Sequence, residues 1–170
     1  MNEYTKIIFR IILLIVGVLL IYSGISLAMS SGAEIKYMMM LAKVKPLLPL
    51  PFSTMIFAFL FNGLLLTIIG IYPNFTLFLN KTSVYSLILR ILAIFSAIVM
   101  INPMILEIQF IIDGKVNFMA IATAPGLIFP GGLFVHVFFE HWLGGILGLT
   151  LGIKPKIFSA LKRVLLKNRL

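Results

Sequence analysis

Residues 11–33 read IILLIVGVLLIYSGISLAMSSGA, without one charged side chain. A helix needs about 20 predominantly apolar residues to cross the hydrocarbon core of a bilayer. This stretch is long enough, and its reading decides the class of the whole chain. A cleavable signal peptide is the competing interpretation, with Ser26-Leu27-Ala28 as a small-residue site. The apolar region of a signal peptide usually runs about 7–15 residues, so an uncleaved anchor fits better. With Lys6 and Arg10 at its entry, the first span is expected over residues 8–29.

Composition agrees with that stretch. Of 170 residues, 61% are hydrophobic and 11% charged, and the mean hydropathy is +1.15. Soluble domains carry about a quarter charged residues. A water-soluble globule of this size could not cover so much apolar surface, and disordered chains lack it. The expectation is an all-α integral membrane protein forming a single membrane domain, residues 1–170. The absence of cysteine excludes disulfides, thiolate metal ligands and thiol catalysis.

Three further spans complete the expected bundle of four transmembrane helices. Residues 46–80 carry no charge, and Pro46, Pro49 and Pro51 suit a helix entry rather than its interior. The second span is therefore placed at 53–72, closing before Pro73. The third covers 86–112, with Arg90 near its start, where a long side chain can snorkel to the interface. Residues 116–153 are too long for one span and awkward for two. Ala124-Pro125-Gly126 and Pro130-Gly131-Gly132 break them, which predicts a re-entrant or interfacial segment followed by a span at 133–153. Two flanking segments, 33–45 and 154–170, read as interfacial. No internal repeat, low-complexity tract or linker stands out.

Orientation follows from Lys and Arg in the short loops. With the N-terminus inside, Lys6, Arg10, Lys81, Arg90, Lys154, Lys156, Lys162, Arg163, Lys167 and Arg169 lie inside, and Lys36, Lys43, Lys45 and Lys115 outside. A fifth span would export the most basic segment. Both termini are expected in the cytoplasm, and the Ile-, Lys- and Asn-leaning composition suggests a bacterial inner membrane. The tail is a basic amphipathic helix whose Lys154, Lys156, Lys162, Arg163, Lys167 and Arg169 contact anionic headgroups. The formal charge of +9 is thereby assigned to orientation and lipid rather than to nucleic acid. Asn74-Phe75-Thr76 and Asn80-Lys81-Thr82 match glycosylation sequons but fall on the inner side.

Two sets of residues are candidates for function. Gly144, Gly148 and Gly152 recur every four residues, a spacing that lets another helix approach closely in lipid. Gly17 with Gly24, and Gly63 with Gly70, are each two turns apart and read as mutual packing surfaces. The second set is ionisable: Glu107 late in the third span, and His136, Glu140 and His141 early in the fourth. Antiparallel spans would bring them together in the outer half of the bilayer, with Asn62 and Asn102 adding hydrogen bonds. Intramembrane charge is costly and needs partners or water. Three roles compete for this cluster: fixing helix packing, carrying protons or cations, and binding a metal. The metal role is weakest, because His136, Glu140 and His141 do not match His-Glu-x-x-His.

No Gly-x-Ser-x-Gly elbow or P-loop occurs, and Asp113 is the only aspartate. The expectation is accordingly not an enzyme, with no cofactor and no metal. A non-enzymatic membrane subunit or accessory protein is expected, packing against other membrane chains or its own copies. The alternative is a small oligomeric proton or cation transporter using Glu107, His136 and Glu140.

Overall fold

The structure is a computed structural model that describes residues 3–29, 51–112 and 141–159. Every regular element among them is helical: α1 (Glu3–Met29), α2 (Phe52–Ile71), α3 (Phe75–Leu79), α4 (Val84–Ile112), α5 (Gly145–Ile153) and α6 (Lys156–Ser159). A π-helical turn at residues 141–144 leads into α5, so one apolar helical stretch runs His141–Ile153. Three helices, α1, α2 and α4, are long and apolar enough to cross a membrane. Much of the expected fourth span, the Pro/Gly-broken segment, segment 33–45 and most of the tail lie outside the described residues. So do Lys162, Arg163, Lys167 and Arg169.

The outward sides of the long helices are as apolar as their inward sides. Ile8, Ile15 and Val18 of α1 and Ile88, Ile91 and Ile98 of α4 are all exposed. Rows of bare Ile and Val on this scale are stable only in an apolar solvent, which is why the helices read as membrane helices rather than amphipathic ones. The inward sides form one core from Leu13, Leu20, Phe59, Leu66, Met100 and Leu151, among others. Helix pairs α1–α2 and α4–α5 pack antiparallel, and α2 joins the two pairs through its contact with α4.

Each pair is closed at one end by an arginine. A helix ends with four carbonyls that lack intrahelical donors, and here a proline follows each end and contributes no N–H. Steric conflict with the proline also pushes the preceding residue out of the helical region: Tyr72 has φ −123° and ψ 81°, and Lys154 has φ −132° and ψ 65°. The freed carbonyls are taken by the neighbouring helix. Arg10 donates from Nε to the Gly70 carbonyl at 3.0 Å and from Nη2 to Ile71 at 3.1 Å. Arg90 donates from Nε to Gly152 at 2.8 Å and from Nη2 to Ile153 at 3.2 Å. Arg90 thereby forms a specific cap, because the guanidinium fork matches two successive carbonyls and sits at the negative end of the helix dipole.

The turn after α2 is held locally. Thr76 Oγ1 donates to the Pro73 carbonyl at 2.7 Å, and Asn80 Nδ2 donates to the Thr76 carbonyl at 2.8 Å. Ser86 Oγ then donates to the Leu79 carbonyl at 2.7 Å, tying α3 to α4. The ring of Phe158 in α6 lies 5.8 Å from that of Phe9 in α1, so both short helices sit at the arginine end of the bundle.

Arg10→Lys and Arg90→Lys keep the charge but lose the fork. Each is expected to cost about 1.5–3 kcal/mol, the range for hydrogen bonds to charged groups. The caps lie in different helix pairs, so the double variant should show the sum of the two losses. Thermal unfolding in detergent measures both.

Candidate functional site

Helices α1 and α2 cross in close contact. A Cβ on Gly17 would stand 2.8 Å from the Gly63 carbonyl oxygen and 2.8 Å from the Thr67 amide, with Thr67 Oγ1 closer still. A Cβ on Gly63 would in turn meet the Gly17 carbonyl oxygen at 2.8 Å. Backbone touches backbone here, so the crossing has no room for a methyl group on either side. Gly24 and Gly70 instead face side chains, Leu60 and Leu14 respectively.

The glycines at 144, 148 and 152 do not share one partner. Gly144 faces Leu20 and Met100, Gly148 faces the Asn62 amide, and Gly152 faces Ile94 and the Arg90 carbonyl oxygen. The slow drift of a four-residue repeat around a helix therefore carries this row across α1, α2 and α4 in turn. Each glycine admits a different neighbour toward the helix axis.

Where these helices converge, two polar side chains are buried in an otherwise apolar interior. Asn62 is fully buried, and its Nδ2 donates to the Met100 sulfur at 3.2 Å. Its Oδ1 has no hydrogen-bond partner among the described residues. One turn earlier on α2, Phe59 packs against His141, with ring centroids 5.5 Å apart and planes inclined by 59°. His141 is 1% exposed, so an imidazole is enclosed in the bundle beside an aromatic ring. Such a ring presents one N–H donor and one lone pair when neutral, the most chemically versatile group at this convergence.

The other members of the expected ionisable cluster are less completely placed. Glu107 lies on α4, whereas His136 and Glu140 lie outside the described residues. Of the tail cations, Lys154 and Lys156 are described, and both are exposed at the arginine end. Asn62 was anticipated only as a hydrogen-bonding group. Its packing into the space left by Gly148 depends on a contact between helices far apart in the chain.

No protein-family model, curated protein or solved structure matches the chain. The site therefore has to be read from its own chemistry.

Gly17→Ala should destabilise the protein by about 1–3 kcal/mol, the usual cost of overpacking a tight contact. Gly24→Ala should cost less, because the Leu60 side chain can rotate away where a carbonyl cannot. Equal melting temperatures for the two variants would mean that α1 and α2 do not cross in this register.

Proposed function

We propose that the chain is a non-enzymatic polytopic membrane subunit: a single membrane domain of four spans that packs against other membrane chains in a transport, secretion or immunity-type complex. The observation that carries this reading is the closure of the interior. Glycine contacts, leucines and phenylalanines fill it, and its few polar groups stand between apolar neighbours. The extended surfaces are the outward rows of α1 and α4, which suit lipid or another membrane helix. The helix His141–Ile153 with the apolar residues before it supplies the fourth span.

Every described Lys and Arg supports one orientation. Lys6, Arg10, Lys81, Arg90, Lys154 and Lys156 all belong to the end of the bundle that carries the arginine caps. By the positive-inside rule that end faces the cytoplasm, with both termini, in a bacterial inner membrane. The basic tail then lies against anionic headgroups of the inner leaflet.

A second reading rests on Asn62 and His141, enclosed where the helices converge. An oligomeric proton or cation transporter would use them together with Glu107, His136 and Glu140. Mild-detergent purification of the full chain from native membranes separates the two readings. Other membrane proteins in stoichiometric amount are expected. Recovery of the chain alone, with cation flux in liposomes that Glu140→Gln abolishes, would install the transporter instead.

The tail makes its own prediction. Replacing Lys154, Lys156, Lys162, Arg163, Lys167 and Arg169 with Gln should weaken its hold on anionic vesicles by about 1 kcal/mol per cation near the surface. Protease accessibility of the tail in anionic against neutral vesicles reads this directly, and equal protection of parent and variant would end the lipid-contact idea.

A further inference from the structure

The two helix pairs share far more than a shape. Gly-Ile-x-Pro ends both α2 (Gly70, Ile71, Pro73) and α5 (Gly152, Ile153, Pro155), 82 residues apart (152 − 70). The backbone bonds around these ends coincide at the same spacing. Tyr72 N to Ile68 O matches Lys154 N to Thr150 O, Phe75 N to Tyr72 O matches Ile157 N to Lys154 O, and Thr76 N to Pro73 O matches Phe158 N to Pro155 O. The capping arginines are 80 residues apart (90 − 10), and each uses the same two nitrogens on the equivalent carbonyls. The interhelix contacts coincide as well. Gly63 faces Ile21 and the Gly17 carbonyl oxygen, and Gly145 faces Ile101 and the Ala97 carbonyl oxygen.

Contacts between the pairs obey the same correspondence. Asn62 reaches Met100, and its counterpart Gly144 faces Leu20, the counterpart of Met100. Phe59 packs on its own counterpart, His141. In a two-fold arrangement a residue touches its own mate only at the axis. The short helices α3 and α6, also mates, touch each other.

We infer that the chain is a tandem duplication of one two-helix unit, closed about a two-fold axis that runs along the bundle between Phe59 and His141, and that the acidic and imidazole groups were added to the second unit alone, outside the needs of the frame. Both units keep their arginine at the same end of the bundle, so the repeat is parallel rather than inverted. The two units act as mutual controls. Residues that the frame requires occur in both: the arginine, the glycine at the crossing, the helix-ending Gly-Ile-x-Pro. The acidic and imidazole residues of the cluster occur in one. At the same spacings, Glu107 corresponds to Leu27, His136 to Thr54, Glu140 to Ala58 and His141 to Phe59. A frame that closes with Leu, Thr, Ala and Phe at these positions does not need Glu and His there. His141 is the member of that set that reaches the axis, and it is a functional rather than a scaffold residue. This holds under either reading of the function.

The test exchanges the axis residues in the full chain. His141→Phe and the double exchange Phe59→His with His141→Phe are both expected to melt within about 3 °C of the parent, a small shift for a chain of this length. Arg90→Lys serves as the destabilised reference. Losses in both variants as large as that of Arg90→Lys would make His141 a frame residue and overturn the specialisation. The two-fold relation is tested separately. Single cysteines at Lys81 and Lys154, in a chain that otherwise has none, should react with a membrane-impermeant maleimide from the same side, and labelling from opposite sides would overturn the parallel repeat.

Discussion

A membrane helix can satisfy its own backbone everywhere except at its ends, and this protein is organised around where two of those ends find donors. Proline after α2 and after α5 stops each helix and removes a donor at the point where carbonyls are left bare. Unpaired carbonyls near hydrocarbon cost several kcal/mol each. A neighbouring arginine answers with two N–H groups from one rigid plane. That arrangement sets the register of the pair, because the guanidinium reaches the carbonyls of Gly70 and Ile71 only if α1 and α2 stand at one height. The glycine crossing, the core and the position of the short helix beyond the proline follow from that height.

The two pairs then differ in a way that a single methyl explains. Where α1 has Gly17, α4 has Ala97. The space for a Cβ on the opposing glycine is correspondingly larger in the second pair: 3.6 Å to the Ala97 carbonyl oxygen, against 2.8 Å to that of Gly17. Hydrocarbon gives no driving force for squeezing helices together, so their separation is set by packing geometry alone. The first pair is the closer of the two at this crossing, whereas at the capped end a Cβ on Gly152 would stand 2.8 Å from the Arg90 carbonyl oxygen; buried Asn62 belongs to the first pair and buried His141 to the second.

That division gives a physical frame for function. Burying an amide and an imidazole in an apolar interior costs free energy unless hydrogen bonds offset it. The first unit avoids this cost at the axis with Phe59, and the second accepts it with His141. Under the transporter reading, a site that binds or transfers a polar species would use that imidazole. The closed interior limits what such a site reaches unaided, which is why a complex with other membrane chains remains the reading that the geometry favours.

The sequence by itself determined the helical class and the presence of helices long and apolar enough to cross a membrane. Uncharged runs of span length admit few alternatives, and Pro51 and Pro73 bracket α2 as expected. Close packing at Gly17 and Gly63 was legible from the two-turn spacing, since small residues at helical intervals have few other uses in lipid. Tertiary structure decided the rest. The cap formed by Arg90 is not legible in the chain because its partners, Gly152 and Ile153, lie 62 and 63 residues away. The glycine row looked like one ridge until three helices were seen to share it. The duplication escaped notice because Ile, Leu, Val and Phe substitute freely against acyl chains, leaving only scattered Arg, Gly and Pro as its record. Contacts between distant residues leave no periodicity in a chain, and only their meeting in space shows that the two halves obey one plan.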